Sequence, residues 1–316
     1  MTLTAIILLL ISAAAHAGWN LLGKRQHPTT AFFLLANTLG CLYMTPVLAL
    51  YGRALGAFPA RTWTLLALTG LCDAIYYAAL AGAYRAGELS IAYPLVRSLP
   101  VVIVAFATRV LGQGSPLSGQ ALLGIALIVA GSLLLPTKRL AELSLRSYWQ
   151  LSSLLVLLAA LGTTGYSLVD DAALRGLRQA PGMPVGLVEV TILYALLRGL
   201  SSSVWLLLFT LAPRQGRAEL RSVWHNGLPP IPPIQSGAFG GLPRAALTGL
   251  GIYLAYTLVL IAMSQVTNVS YVVAFRQLSV PLGAILGLFV LKEPRHLPKA
   301  VGVAVMFLGL LLVGLG

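Results

Sequence analysis

The side chains best suited to bind a charged ligand are Arg97 and Arg276, which stand inside long apolar stretches of the chain. Arg97 lies roughly 12 Å along a helix from the start of its stretch, and Arg276 lies at a similar depth in its own. An arginine near the bilayer centre costs about 2.5 to 3.5 kcal/mol on insertion scales, so both should face the protein interior. Guanidinium is a planar fork that matches carboxylate, phosphate or phosphonate oxygens. The two arginines therefore predict a site for an anionic or zwitterionic solute.

A structural role for these arginines is the alternative, because each could pair with a carboxylate of the protein. The apolar stretches contain Asp73 and Glu189, whereas Glu88, Asp170 and Asp171 stand nearer to the ends of their segments. Asp73 is the carboxylate that could form an ion pair with one of these arginines. A third arginine at depth, Arg198, has no counterpart in the rest of the sequence and receives no predicted role.

Aromatic and polar residues near the arginines complete the predicted site. Tyrosines near membrane ends usually belong to the interfacial belt, but Tyr77 and Tyr256 lie deep in their segments and should line a cavity. The predicted substrate-binding residues are Arg97, Arg276, Tyr77, Tyr256, Tyr93, Trp19 and Asn20. His16 and Asp73 are the candidates for proton coupling, since histidine titrates near neutral pH. Helix packing is the alternative role for His16, which shares a helix face with Asn20.

The amino-acid composition indicates whether the helices that carry these residues lie in water or in a lipid bilayer. Of the 316 residues, 58% are hydrophobic and only 9% are charged, whereas a soluble domain has roughly 25% charged residues. The chain carries 21 Lys and Arg against 8 Asp and Glu, but these bases are scattered among apolar runs, which argues against a nucleic-acid surface. The chain is therefore predicted to be an integral membrane protein.

Ten apolar segments are long enough to span a bilayer as helices. They are Leu3 to Gly23, Ala31 to Tyr51, Trp63 to Tyr84, Leu89 to Val110, Gly119 to Leu135, Leu151 to Val169, Gly186 to Leu211, Ala245 to Ser264, Val269 to Leu291 and Leu297 to Leu315. Because a spanning backbone must satisfy its own hydrogen bonds, an all-α bundle is expected. Residues 15–18 resemble a signal-peptide cleavage site, but no basic residue precedes the first segment, so we expect that segment to be retained.

Two stretches fall outside these segments. Residues 212–244 contain clustered Pro and Gly, which should prevent a helix and favour an extended linker. Residues 137–150 connect the fifth and sixth segments, and their basic residues are typical of a short amphipathic helix on the membrane surface. The predicted organisation is a first five-helix repeat over 1–136, the connection 137–150 and a second repeat over 151–316.

An internal repeat is the strongest architectural signal. The sequence LTG at 68–70 recurs at 247–249. Nearly the same offset superposes Tyr77 on Tyr256, Arg97 on Arg276, Gly124 on Gly302, and Gly131 on Gly309. Five helices per copy is an odd number, so the second copy must enter the membrane from the opposite side. Inverted repeats of this kind are how many secondary transporters build a site at the bilayer midplane.

Three stretches of the sequence carry a resemblance to a known family. They are AHAGWNLLGK at 15–24, AYRAGELSIAYPLVRSLPVVIVAF at 83–106 and LFVLKEPRHLPKAVGVAVMFLGLLLV at 288–313. The chain resembles the EamA family of the drug/metabolite transporter superfamily. The resemblance implies a ten-helix transporter of small metabolites, with the third, fourth, eighth and ninth helices around a central cavity. The family often has Gly-Glu after the fourth segment, where this chain has Gly112-Gln113, whereas the second half keeps Glu293.

The expected function is secondary-active export of a small anionic or zwitterionic metabolite, such as an amino acid, organophosphate or phosphonate, by alternating access. Export of hydrophobic or cationic drugs, a lipid-linked flippase and a membrane receptor are the alternatives. We expect no enzyme, since no metalloprotease motif or paired catalytic carboxylates appear, and no ATP-driven transport, since no phosphate-binding Gly loop appears.

No cofactor or metal is expected, and Cys41 and Cys72 should be buried small apolar residues. The expected partners are a small-molecule substrate and the lipid bilayer, without nucleic acid, in a monomer or homodimer of the bacterial inner membrane.

Overall fold

The computed structural model describes residues 1–23, 29–86, 89–135, 151–226, 241–290 and 296–316. Within these ranges it describes only the backbone of residues 19–23, 84–86, 89–95, 97, 151–153, 223–226, 241 and 244. The described residues form helices joined by turns, and no strand occurs among them. The predicted all-α class is therefore confirmed for this part of the chain.

The first half of the chain contains five helices, close to the predicted segments. They are α1 (Leu3–Gly23), α2 (Thr30–Tyr51), α3 (Ala60–Ala86), α4 (Leu89–Val110) and α5 (Gly119–Leu134). Three starts have side-chain caps: Thr2 accepts a hydrogen bond from the Ala5 N–H, Thr29 accepts one from the Phe32 N–H, and Ser118 accepts one from the Ala121 N–H. Such caps satisfy backbone donors that the first turn of a helix leaves free.

Among the described residues of the second half there are seven further helices. They are α6 (Leu151–Arg178), α7 (Leu187–Leu211), α8 (Arg214–Asn226), α9 (Gly241–Ala262), α10 (Val269–Arg276), α11 (Ser279–Val290) and α12 (Leu297–Leu315). Across the described residues, seven spans are long and apolar enough to cross a membrane, and three shorter apolar helices begin at Leu3, Ser98 and Gly119.

Helix α6 is longer than its sequence segment. The apolar pattern ends at Val169, but the helix continues to Arg178. The prediction was wrong because Asp170 and Asp171 look like a membrane boundary in sequence. Asp170 bonds Arg198 inside the bundle, and Asp171 pairs with Arg175 one turn later, so both charges are accommodated within the helix.

The ninth segment is two helices rather than one. α10 ends at Arg276, and Gln277, Leu278 and Val280 each donate a hydrogen bond to the carbonyl three residues back. Pro281 has no N–H to give the Gln277 carbonyl, which favours a break at this point. The apolar segment from Val269 to Leu291 predicted a single spanning helix, whereas α10 and α11 are separate elements.

The predicted linker over 212–244 is partly helical. α8 occupies Arg214–Asn226, and α9 already begins at Gly241. The expectation of an extended chain was wrong for α8, because the Pro and Gly residues that prevent a helix come after it. Arg217 donates to the carbonyls of Leu211 and Ala212, so the start of α8 caps the end of α7. Residues 227–240, and the predicted surface helix within 137–150, lie outside the described residues.

The helices pack in a pattern set partly by small residues. α3 packs against α6 and α7, α1 against α9, α2 against α7 and α9, and α5 against α12. At the α5–α12 contact, a Cβ on Gly124 would lie 2.6 Å from the Gly309 carbonyl, and one on Gly131 would lie 2.7 Å from the Gly302 carbonyl. Only glycine fits at these crossings, and such small residues let spanning helices approach closely.

Four short connections meet at one end of the bundle, which we call the short-loop end: residues 52–59, 111–118, 179–186 and 263–268. Ser115 donates its N–H to the Thr267 carbonyl, and the Asn268 side chain donates to the Ser115 carbonyl. Arg178, at the end of α6, donates to the Met263 carbonyl. These contacts tie the helix ends of both halves together.

Candidate functional site

Arg198, in the middle of α7, is the centre of a buried group of charges. Its Nε donates to Asp170 Oδ2 on α6 at 3.0 Å, and its Nη2 donates to Asp73 Oδ1 on α3 at 2.9 Å. The exposed fractions are 7% for Arg198, 3% for Asp73 and 0% for Asp170. We call these three residues the charge cluster. A buried charge at this depth requires such partners, because the alternative is an uncompensated ion in a low dielectric.

Asp170 receives the larger number of hydrogen bonds. Besides Arg198, its carboxylate accepts bonds from Thr69 Oγ1 at 2.6 Å, the Tyr194 hydroxyl at 2.7 Å and the Tyr256 hydroxyl at 2.6 Å. These donors come from α3, α7 and α9. Asp170 therefore joins four helices through one carboxylate.

Asp73 receives fewer bonds. Its Oδ1 accepts from Arg198, and its Oδ2 accepts from the Ser202 hydroxyl at 2.7 Å. Both donors lie on α7, so Asp73 ties α3 to α7 alone. The two carboxylates of the charge cluster thus have unequal support, although both bond the same guanidinium.

Arg276 lies beside this cluster at the end of α10, with 8% of its surface exposed. Its Nη2 donates to the Tyr166 hydroxyl at 2.9 Å, and its Nη1 donates to Ser167 Oγ at 3.5 Å. Its guanidinium carbon also lies 5.1 Å from the centre of the Tyr256 ring. Arg198 lies 4.2 Å from the centre of the same ring. The Tyr256 ring is therefore in cation–π range of both arginines.

A row of aromatic rings runs from this point through the bundle. The ring centres of Tyr256 and Tyr166 are 5.5 Å apart, those of Tyr166 and Tyr76 are 6.0 Å apart, and those of Tyr76 and Tyr77 are 4.9 Å apart. Phe33 on α2 follows, 4.7 Å from Tyr77. The row joins both halves of the chain and gives the centre an apolar but polarisable lining.

Comparisons with known proteins connect this geometry with a class of function. The family profile of the EamA-like transporter family matches residues 3–137. Residues 3–137 are therefore similar to the EamA-like transporter family, which lies in the drug/metabolite transporter superfamily. This similarity supports a membrane transporter.

A solved crystal structure has the same fold as this chain. It aligns with a TM-score of 0.63 and 17% sequence identity, over 98% of this chain and 97% of its own. At this identity the likeness shows the fold alone. No curated protein sequence matches the chain.

The structure brings several of the predicted site residues together. Arg276 and Tyr256 are neighbours, and Tyr77 belongs to the same aromatic row. Asp73, expected as a partner of a buried arginine, pairs with Arg198 rather than with Arg97 or Arg276. His16 is half-buried in α1. The side chains of Arg97, Tyr93, Trp19 and Asn20 lie outside the described residues.

Sequence reasoning missed Arg198 and Asp170, although a signal for them exists. Polar side chains follow a spacing of four residues on each helix that meets at the charge cluster. The stripes are Thr69, Asp73 and Tyr77 on α3, Tyr166 and Asp170 on α6, and Tyr194, Arg198 and Ser202 on α7. Residues four apart share one helix face. A search for polar stripes within apolar segments would therefore have found all three faces.

The charge cluster does not resemble a metal site. Among the described residues, no group of three or more His, Cys, Asp or Glu side chains is close enough to hold a metal ion. The carboxylates of Asp73 and Asp170 instead accept bonds from a guanidinium and hydroxyls. The arrangement is suited to holding helices together and to presenting positive charge beside aromatic faces.

Proposed function

We propose that the protein is a secondary-active exporter of a small anionic or zwitterionic metabolite. The observation that carries this proposal is the buried Arg276 guanidinium, held against Tyr166 and Ser167 at a break in a spanning helix. A solute carboxylate or phosphate bonding Arg276 would form charge-assisted hydrogen bonds, which are roughly twice as strong as bonds between neutral groups. The centre of the bundle therefore favours an anionic group over a neutral one.

The two buried carboxylates support the same sign of substrate charge. Asp73 and Asp170 both bond Arg198, so a cationic drug would have to displace that guanidinium before it met a free carboxylate. Breaking a buried ion pair costs several kcal/mol. Export of cationic drugs is therefore the less favoured function.

The proposed architecture is ten spanning helices in two inverted five-helix repeats, 1–136 and 151–316, with α10 and α11 together forming one span. The α5–α12 crossing supports it. Gly124 meets Gly309 and Gly131 meets Gly302, and the repeat superposes Gly124 on Gly302 and Gly131 on Gly309. Exchanging the halves converts one contact into the other, as a twofold axis between them requires.

Alternating access would use the discontinuity after Arg276. Many secondary transporters bind substrate at broken helices between inverted repeats, near the bilayer midplane. α10 packs mainly on α4 and α12, and α11 packs mainly on α1, although each also contacts the other's main neighbour α1 or α12. Movement of α10 relative to α11 would change the contacts of Arg276 without unfolding either helix.

Proton coupling is assigned to Asp73, with His16 as the second candidate. Asp73 accepts two hydrogen bonds, whereas Asp170 accepts four. Protonating Asp73 would therefore disrupt fewer contacts, and Arg198 would keep its bond to Asp170.

The test is transport by proteoliposomes in a bacterial-type lipid mixture. Parent, Arg276→Gln, Arg276→Lys and the exposed control Arg53→Gln are compared for flux of glutamate, glycerol phosphate, 2-aminoethylphosphonate and the cation tetraphenylphosphonium. We expect flux of at least one anion or zwitterion in the parent, at least about a tenfold loss in Arg276→Gln, since a bond to a charged group contributes about 1.5–3 kcal/mol, and partial recovery in Arg276→Lys. Parental anion flux in Arg276→Gln, or flux of the cation alone, would overturn the proposal.

A further inference from the structure

A cavity of about 260 Å³ opens at the short-loop end, away from Arg276. Its wall is built from the start of α3, the loop after α4 and the last turns of α6. The polar residues that line it are Arg61, Thr62, Gln113, Asp171, Arg175 and Gln179. At about 30 Å³ per water molecule, the cavity holds roughly nine waters. That is enough room for one small solute or one lipid headgroup.

Arg61 gives this cavity a charge that the protein does not neutralise. Among the described residues, Arg61 makes no ion pair. It lies in the first turn of α3, where no acidic residue accompanies it. The N-terminus of a helix already carries positive partial charge, so a cation is unfavourable there and an anion is favourable. Arg61 therefore adds to a positive potential that a bound anion would relieve.

The opposite wall supplies a second guanidinium. Arg175 donates from Nε and Nη2 to the same oxygen of Asp171, Oδ2, at 3.0 and 2.8 Å. This pair holds the Arg175 side chain in place while leaving Nη1 for another acceptor. The negative charge of Asp171 offsets the positive charge of Arg175, so Arg61 gives the cavity a net positive charge.

Gln113 supplies an uncommitted amide in the same wall. Its Oε1 is buried and has no hydrogen-bond partner among the described residues, and unsatisfied buried polar atoms are rare in folded proteins. No bond fixes the amide orientation, so its NH₂ is free to face a bound oxygen. A glutamate at this position would oppose a bound anion, because its carboxylate is negatively charged.

We propose that this cavity is a binding site for a small oxyanion, a carboxylate or phosphate group, held by Arg61 and Arg175 and oriented by Gln113. The inference deepens the proposed transport function and rests on it, because α3 and α6, which line the cavity, also carry residues of the charge cluster. Asp171 lines the cavity, and the adjacent Asp170 belongs to the cluster. Leu65 also lines the cavity, and Thr69, one turn further along α3, bonds Asp170.

The experiment measures phosphate binding to purified full-length protein in lipid-free detergent, by the linewidth of the ³¹P resonance of inorganic phosphate. Arg61→Gln removes the unpaired charge, and Gln113→Glu adds a negative charge at nearly constant shape. We expect each variant to weaken binding at least about tenfold, since a bond to a charged group contributes about 1.5–3 kcal/mol. The matched control is Arg53→Gln, an exposed arginine at the same end that does not line the cavity, and it should bind phosphate like the parent.

Several results would overturn the inference. Parental affinity in Arg61→Gln would show that the cavity holds no oxyanion, and an equal loss in Arg53→Gln would show diffuse attraction to a basic surface. Loss of binding in Arg276→Gln with none in Arg61→Gln would place phosphate at the bundle centre. If the proposed transport function alone fails, proteoliposomes show no flux while phosphate binding still depends on Arg61.

The source of the oxyanion is separated by repeating the titration in nanodiscs. If phosphatidylglycerol nanodiscs weaken phosphate binding at least tenfold relative to phosphatidylcholine nanodiscs, the lipid headgroup occupies the cavity. If the affinity is equal in both, the occupant is a soluble solute. Either result upholds the oxyanion site.

Discussion

The surroundings of Arg198 and of Arg276 differ, although both arginines are buried at the centre of the bundle. Arg198 donates to two carboxylates, whereas Arg276 donates to the hydroxyls of Tyr166 and Ser167. Bonds between two charged groups are stronger and costlier to break than bonds to neutral hydroxyls. The same residue type at similar burial is therefore suited to different tasks, Arg198 to holding α3, α6 and α7 together and Arg276 to meeting a substrate.

The largest effect should come from Arg198→Leu. Removing the guanidinium leaves Asp73 and Asp170 buried without their cation, which costs about 3–5 kcal/mol. We expect a large fall in thermal stability in detergent, measured by tryptophan fluorescence, and a smaller fall in the matched variant Arg276→Leu. Equal falls in the two variants would show that the surroundings of the two arginines do not differ as described.

The two carboxylates of the charge cluster should also differ, by a smaller amount, in how much they contribute to stability. Asp170→Asn places an NH₂ among four donors, whereas Asp73→Asn disturbs two bonds, so Asp170→Asn should be the more destabilising by at least about 1.5 kcal/mol. Urea or SDS unfolding of both variants measures the difference. A greater loss from Asp73→Asn would contradict the unequal support of the two carboxylates.

The smallest effect should come from Tyr166→Phe, which removes one hydroxyl from Arg276. We expect a loss of about 1 kcal/mol in the free energy of unfolding, typical of one hydrogen bond. Its matched control is Tyr194→Phe, which removes a hydroxyl bonded to the Asp170 carboxylate and should cost about 1.5–3 kcal/mol. If the order of the two losses is reversed, hydroxyls support Arg276 more strongly than they support the charge cluster.

Much of the helical framework was predictable from apolar runs. The bounds of α1, α4 and α12 match the predicted segments to the residue, because long and mainly apolar runs leave a membrane helix few alternatives. The predictions failed at α6 and α10, where polar residues lie at depth. In a sequence, a carboxylate suggests the end of a spanning helix. Asp170 lies within α6 because it is paired with Arg198 on another helix.

The candidate site was predictable only in part. The internal repeat directed attention to Arg276, Tyr77 and Tyr256, and the last two belong to one aromatic row. Arg198 has no counterpart in the repeat, so the comparison of the two halves that identified Arg276 did not identify Arg198. Its partners Asp170 and Asp73 are 28 and 125 residues away in the chain, and no local spacing connects them.

The amino-acid sequence by itself determined the solvent, the helical class and the family, because each depends on composition, apolar run length or local motifs. Only the tertiary structure decided which buried charges are paired. Ion pairing depends on which helix faces meet, and three polar stripes on α3, α6 and α7 become a charge cluster only when those helices pack. The same reason explains Gln113 and Arg61, which are far apart in sequence but line one cavity because the loop after α4 meets the start of α3 at the short-loop end.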